Sequence, residues 1–422
     1  MKVKVLVVLI LTTASLFAQT SLTTIDEIVN FSLENSSDSI RSKITLENSE
    51  DNVESYIKLD ETKVSFNSSF KEDGTNSFIS SLNIPVIDQL SVNGSFDNNL
   101  NGEIGVSINP LSHNKNVTLS EVEYDLALLN YKNSIDSTSK NTIDKALSWM
   151  VGKKSLDLLE KEAYRYESLY SDNKDRYENG SITLDELQDS LINWSNARKK
   201  LLDQKQSFYT LESSLYSQLG ATKEDVVIEI LEIEELQVLI EQLKTMVENG
   251  SGDYFKNSNY LQSVINEEKA MLNYNAIWVY DPDVSFSAKL GITENGVVED
   301  SFTASVGFTL GLDNINKSEK DSAKEEYLLS VKDKELKLNA AKLDFEMSKD
   351  LVESSSLESE ITRYEYEQTK ILLSEAEILY DAGEYSELEL LAAELALQQA
   401  HNNLFTILKN EYLNLIDYLK YF

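Results

Sequence analysis

The clearest alternation of apolar and polar positions lies between residues 302 and 312. Phe302, Ala304, Val306, Phe308, Leu310 and Leu312 occupy one phase of a two-residue period, and Thr303, Ser305, Gly307, Thr309 and Gly311 the other. Val284, Phe286, Ala288, Leu290 and Ile292 repeat that period just upstream, with a polar turn from Thr293 to Asp300 between them. Two strands of about 9–11 residues with one apolar face suit a tilted bilayer crossing. The same alternation also suits an amphipathic hairpin on a soluble core. An earlier window, 62–111, holds strand-like segments near 62–70, 77–84, 90–97 and 102–109. All three prolines (Pro85, Pro110, Pro282) and eight of the 14 glycines fall in these two windows, so the chain's turn-formers are confined to two β islands.

Elsewhere the period changes to seven. Leu336, Leu343, Leu357, Tyr364, Ile371 and Ile378 share one register, and Val331, Leu338, Phe345 and Val352 form a second row. Leu156, Leu159, Ala163, Tyr166, Tyr170 and Tyr177 follow a similar spacing earlier, as do Leu388, Leu391, Leu395, Phe405, Tyr412, Leu415 and Leu419 later. Such rows bury a seam between neighbouring helices and leave Glu, Asp and Lys on the solvated faces. A single helix from Lys320 to Tyr380 would run roughly 90 Å at 1.5 Å per residue, so rods are expected.

The helical halves repeat. Residues 177–187, from Tyr177 through Gly180, Thr183 and Glu186 to Leu187, align with 380–390, from Tyr380 through Gly383, Ser386 and Glu389 to Leu390. The offset of 203 holds without a gap through Ala197/Ala400, Leu201/Leu404 and Tyr209/Tyr412. Upstream, Glu34-Asn35 resembles Glu248-Asn249. Gly180 and Gly383 can end a helix in the left-handed conformation. Thr183-x-x-Glu186 and Ser386-x-x-Glu389 read as capping boxes that start the next helix. Each half is therefore helix, strands, long helix, tight turn, long helix.

Charge and composition narrow the function. With 72 acids against 38 bases the formal charge is −34, which repels nucleic acid instead of neutralising its phosphates. No cysteine is present, which excludes disulfides, a thiol nucleophile and thiolate-held metal. Lys2 and Lys4, the apolar run Val5–Leu11 and the small residues to Ala18 have the form of a secretory signal, with Gln19 the expected mature start. Its removal takes the charge from −34 to −36. Val226–Leu243, the best later candidate for a membrane helix, is broken by five glutamates. The mature chain is then soluble in the periplasm, released, or held in an outer membrane by strands. His113 and His401 lie in different elements without metal spacing or a nucleophile partner, and Gly307-x-x-x-Gly311 sits in a strand pattern where a phosphate loop would not. No catalytic, metal or cofactor site is expected.

The turns and the duplicated order of elements resemble the TolC-type outer-membrane factor family. Arg176-Tyr177-x-x-Gly180 and Tyr380-x-x-Gly383 carry the motif, with Ala197 and Ala400 in the helices that follow. The resemblance covers essentially the whole mature chain. It implies a mainly α fold with membrane β, in which duplicated long helical hairpins form a trimeric coiled-coil tunnel joined to a shared transmembrane β-barrel. It also implies a homotrimer, outer-membrane lipid around the barrel, and a periplasmic adaptor protein and an inner-membrane transporter as partners. The expected layout is a signal peptide at 1–18, a helix at 19–61, β structure at 62–111 and a helical hairpin at 112–219. After a linker at 220–253 come a helix at 254–281, a β hairpin at 282–312 and the second helical hairpin at 313–422.

On that resemblance the tips at Arg176, Tyr177, Gly180, Thr183, Tyr380, Gly383 and Ser386 meet the adaptor. Glu186, Asp189 and Glu389 are candidates to ring the closed end, whereas Ala392 stands where a second acid often follows. Family members contribute two strands per half. The offset of 220 between Phe66 and Phe286, against 203 at the turns, leaves 17 extra residues in the first half; either one strand pair is an external hairpin, the favoured use, or the strand count is unusual. The function implied is a passive conduit for small molecules or exported proteins. The rival is an exported coiled-coil scaffold or adhesin, which leaves the β islands without a purpose.

Overall fold

The computed structural model describes residues 20–57, 63–70, 76–87, 90–96, 102–108, 115–277, 280–293, 296–297, 303–315 and 317–422. The signal segment, Pro110, His113 and most of the turn expected at 293–300 lie outside the described residues. In order, the elements are β1 (Thr20–Leu22), α1 (Ile25–Asn35), α2 (Ser37–Ile57), β2 (Lys63–Phe70), β3 (Asn76–Ile87), β4 (Leu90–Phe96), β5 (Gly102–Ile108), α3 (Lys115–Glu178) and α4 (Leu184–Leu219). The second half runs β6 (Val226–Ile228), α5 (Ile233–Asn249), a 3-10 turn at Tyr254–Lys256, α6 (Ser258–Ala276), β7 (Tyr280–Thr293), β8 (Gly296–Val297), β9 (Thr303–Ile315), α7 (Lys317–Asp381) and α8 (Glu387–Leu419). The duplication is visible in lengths, since α3 and α7 have 64 and 65 residues and α4 and α8 have 36 and 33. Glu34-Asn35 and Glu248-Asn249 close α1 and α5 respectively.

The chain divides into two compact units, one comprising residues up to Ser42, Lys132–Asn257 and Ala341–Phe422, the other Lys43–Tyr131 and Ser258–Ala340. In the first, β1 and β6 pair in parallel, Thr20 beside Val226, so the starts of the two halves are hydrogen-bonded to each other. Around them is a core that includes Ile28, Leu147, Met150, Leu215, Leu236 and Phe405, drawn from α1, α3, α4, α5 and α8. Each such side chain contributes about 1.5–3 kcal/mol on burial. Gly152 lets α3 and α4 approach, since a Cβ there would lie 2.8 Å from Leu211. Lys244 on α5 meets Glu411 on α8 at 2.8 Å, where the carboxylate is 1% exposed. The contact neutralises Glu411 Oε1, although it falls outside hydrogen-bonding geometry.

The two heptad rows of α7 separate. The row Val331, Leu338, Phe345 and Val352 is half-buried, with Phe345 against Tyr418 and Tyr421 at ring distances of 5.6 and 5.2 Å. The row Leu336, Leu343, Leu357, Tyr364, Ile371 and Ile378 is not the buried seam expected of it, because every member is more than half exposed in the single chain. Leu329 extends it by one heptad.

The second unit holds a seven-stranded antiparallel sheet in the order β2-β3-β4-β5-β7-β8, with β9 also paired to β7. Six of the strands are long and β8 has two residues. All four segments anticipated in the first window are strands, and all join the sheet that holds β7 and β9. The extra residues of the first half are thus paired into this sheet. The register explains why. Ile84, Val92, Val106, Ala288 and Ala304 are successive partners across β3, β4, β5, β7 and β9, so their positions share one face. One residue away, Lys63, Asn83, Asn93, Gly105, Lys289 and Thr303 cross all six strands on the other face. A slip of one residue would exchange the faces, so this pairing is held by the hydrophobic pattern. Pro85 and Pro282 both sit beside register shifts, where a missing N–H is tolerated.

The helices of this unit contact one another. Tyr274 of α6 stacks on Tyr327 of α7 with ring centres 6.2 Å apart, and Lys320 donates to the Ile277 carbonyl at 2.8 Å. Lys269 pairs with Glu123 at 2.8 Å, and Lys334 with Glu267. The buried pair in the first unit supports a stability test. Lys244→Met leaves a charged carboxylate without its cation and should lower stability by about 3–5 kcal/mol. Glu411→Leu removes the charge and should cost clearly less. Denaturant unfolding of the two variants checks this, and equal losses would mean the charge is not what matters.

Candidate functional site in the two hairpin turns

The residues singled out at the tips are brought together locally into two turns of the same construction. Helix α3 is stopped by Gly180 at φ +71°, and α7 by Gly383 at φ +76°. In the first turn the Gly180 N–H donates to the Tyr177 carbonyl at 2.9 Å and the Ser181 N–H to that of Arg176 at 2.7 Å. In the second, Gly383 donates to Tyr380 at 2.9 Å and Glu384 to Leu379 at 2.9 Å. Both follow the Schellman pattern, which satisfies carbonyls a helix end would otherwise leave orphaned. Nothing lies within 4 Å of a Cβ placed at either glycine. Backbone conformation, and not crowding, is therefore what demands glycine there.

The next helices start with reciprocal caps. The Thr183 N–H and hydroxyl donate to Glu186 Oε2 at 2.7 and 2.9 Å, while the Glu186 N–H donates to Thr183 Oγ1 at 3.3 Å. Ser386 and Glu389 reproduce this at 2.7, 2.7 and 3.3 Å. Backbone donation from Thr183 and Ser386, reinforced by their hydroxyls, holds both carboxyls below the ordinary glutamate value of 4.5. One oxygen of each carboxylate caps its helix. Arg176, Tyr177, Asp189 and Tyr380 are exposed around the turns, with Arg176 donating to Asn173 Oδ1 at 3.4 Å.

Contacts between the halves behind the tips were not readable in the sequence. Arg165 on α3 donates from Nε to the Leu388 carbonyl of α8 at 3.2 Å. Gln398 of α8 bridges Asp157 and Lys161 of α3, at 2.7 and 3.2 Å. Within the first half, Tyr170 of α3 stacks on Trp194 of α4 with centres 5.3 Å apart. Their only sequence signal was long polar side chains near a heptad seam, which does not name a partner. His401 is half-buried, edge-on to Tyr366, in a groove of about 600 Å³ that also contains Lys153, Lys154 and Asp157. Burial, then nearby Lys154, lowers its pKa. No group of acids and histidines suited to a metal occurs among the described residues.

The fold as a whole superposes on solved outer-membrane channel structures over most of their length. The outer membrane protein VceC of Vibrio cholerae superposes with a TM-score of 0.63 at 13% identity, over 94% of this chain and 95% of that one. CusC gives 0.61 at 14% identity over 93% and 90%, and the open-state outer membrane channel MtrE of Neisseria gonorrhoeae 0.60 at 13% over 94% and 88%. This chain has the outer-membrane channel fold. The resemblance to TolC-type outer-membrane factors read from the turns is thus borne out in the fold. No protein-family model and no curated protein matches the chain.

Within this channel fold the turns make two predictions. Gly383→Ala forces an L-residue into the left-handed region and should destabilise the tip by about 1–2 kcal/mol, seen as faster local proteolysis, with Gly383→Asn milder. The depressed glutamate pKa values mean the caps contribute fully above the ordinary glutamate range and are lost as pH falls through the lowered folded values. Protection of the Ser386 and Thr183 amides, relative to their intrinsic exchange, should therefore fall as the pH drops below the ordinary glutamate range. Glu389→Gln should remove that pH dependence from the second tip alone.

Proposed function

We propose that the chain is the outer-membrane channel component of a tripartite efflux or type I secretion system, conducting small molecules or exported proteins passively from periplasm to exterior. The observation that carries this reading is the two-faced sheet, whose apolar positions stay largely in register across the strands while the opposite face is mostly Ser, Asn, Gly, Thr and Lys. A lipid-facing wall around a wet lumen needs that division. Ile104, Val106 and Val306, on the apolar face, are exposed at 42, 40 and 71%. An aqueous scaffold or adhesin would gain nothing from leaving them so.

The exposed heptad row of α7 supports a homotrimer, because a stripe of Leu, Ile and Tyr at seven-residue spacing needs another helix to cover it. In this reading the helices of three copies form the periplasmic tunnel, an adaptor grips the tips at Arg176, Tyr177, Gly180, Thr183, Tyr380, Gly383 and Ser386, and an inner-membrane transporter supplies the energy. No helix among the described residues is long and apolar enough to cross a membrane. The strands carry the outer-membrane attachment instead.

Glu186, Asp189 and Glu389 are proposed to ring the aperture. Capping and gating are compatible roles, since Oε2 caps the helix and leaves the net charge of each glutamate in place. Conductance of the purified protein in planar bilayers, with its oligomer mass, tests the whole reading, and a non-conducting monomer would end it. Glu389→Gln should keep the fold, because glutamine also serves at this cap position. It should weaken cation block of single-channel current, and an unchanged block would remove Glu389 from the gate.

A further inference from the structure

The sheet of one copy is open. Among the described residues β2 is paired only to β3, and β9 has its long pairing only to β7, so both outer edges present backbone N–H and C=O groups without strand partners. Hydrocarbon does not tolerate such edges. β2 leads away from the helices and β9 leads back to them, so an edge-to-edge junction between copies is antiparallel, as are all the junctions inside the sheet.

We propose that each copy places six strands in the wall, and that β9 of one copy pairs with β2 of the next. Three copies then close an eighteen-stranded barrel. The proposal rests on the trimeric-channel reading and departs from the two-strands-per-half pattern that the resemblance implied. The register decides between the two. Were β2 and β3 an external flap, their apolar positions would have no reason to follow those of the other strands. Yet Val64 and Leu82 continue the row Gly94, Ile104 and Leu290, and Lys63 and Asn83 continue the polar row to Thr303. Strands β2 and β3 thus keep the faces of the rest where they meet β4, with Ile79, opposite Asn67, the apolar exception on the polar face. At about 4.8 Å between strands tilted by about 40°, twelve strands enclose a backbone diameter of about 24 Å and eighteen about 36 Å.

The absence of cysteine makes the junction testable by disulfide trapping. Ser65→Cys, Asn67→Cys or Ser69→Cys on β2 would each be combined with Ser305→Cys on β9, all on the polar face, and oxidised in native membranes. As the competing junction, Ser95→Cys on β4 would be combined with Ser305→Cys. Disulfide-linked dimers and trimers are expected from at least one β2 combination and from none with β4. Linkage through β4 alone, linkage within a single copy, or no linkage in a preparation that is trimeric by mass would overturn the proposal. A chain that is monomeric and aqueous before oxidation would instead remove the channel reading beneath it. Imaging the unmodified trimer in detergent gives a second count that needs no substitution, with eighteen strands expected and twelve fatal.

Discussion

A strand in hydrocarbon must hand every N–H and C=O to a neighbour, because no water is available to take them. A sheet with two free edges cannot be finished by the chain that makes it. That constraint links features that otherwise look unrelated. In the proposed barrel it demands a partner for β2 and β9 and makes a second copy the natural one, because the junction repeats the pairing inside the sheet. The apolar stripe and the open edges are both surfaces the chain leaves uncovered, one on a helix and one on a backbone.

The tips meet a different demand. A helix reversal has to satisfy carbonyls at one end and amides at the next within a few residues. Gly180 and Gly383 do the first by adopting positive φ, and the Thr183–Glu186 and Ser386–Glu389 boxes do the second. The near-identity of the two turns follows from this local chemistry and needs no contact between them. It also keeps an anionic residue at a fixed place on each tip over a wide pH range, so structural and electrostatic roles coexist in one carboxylate.

The turn geometry, the capping boxes, the long helices and the four strands of the first window were legible because each depends on residues close in sequence. Two features were not. The two heptad rows of α7 look alike as patterns, yet one packs on Tyr418 and Tyr421 and the other faces outward. Which row is covered depends on where α8 lies, and no local rule supplies that. Nor does an insertion of 17 residues say which sheet edge it joins.

By itself the sequence determined period and punctuation: where the backbone alternates, where it coils, and where glycine and a capping pair reverse it. These are set within a few residues by backbone sterics and local hydrogen bonds. Only the tertiary structure decided that β1 pairs with β6, that Arg165 reaches Leu388, that Lys244 neutralises the buried Glu411, and that six strands share one register. Those pairings join residues far apart in the chain, and their geometry is fixed only when both halves are packed together.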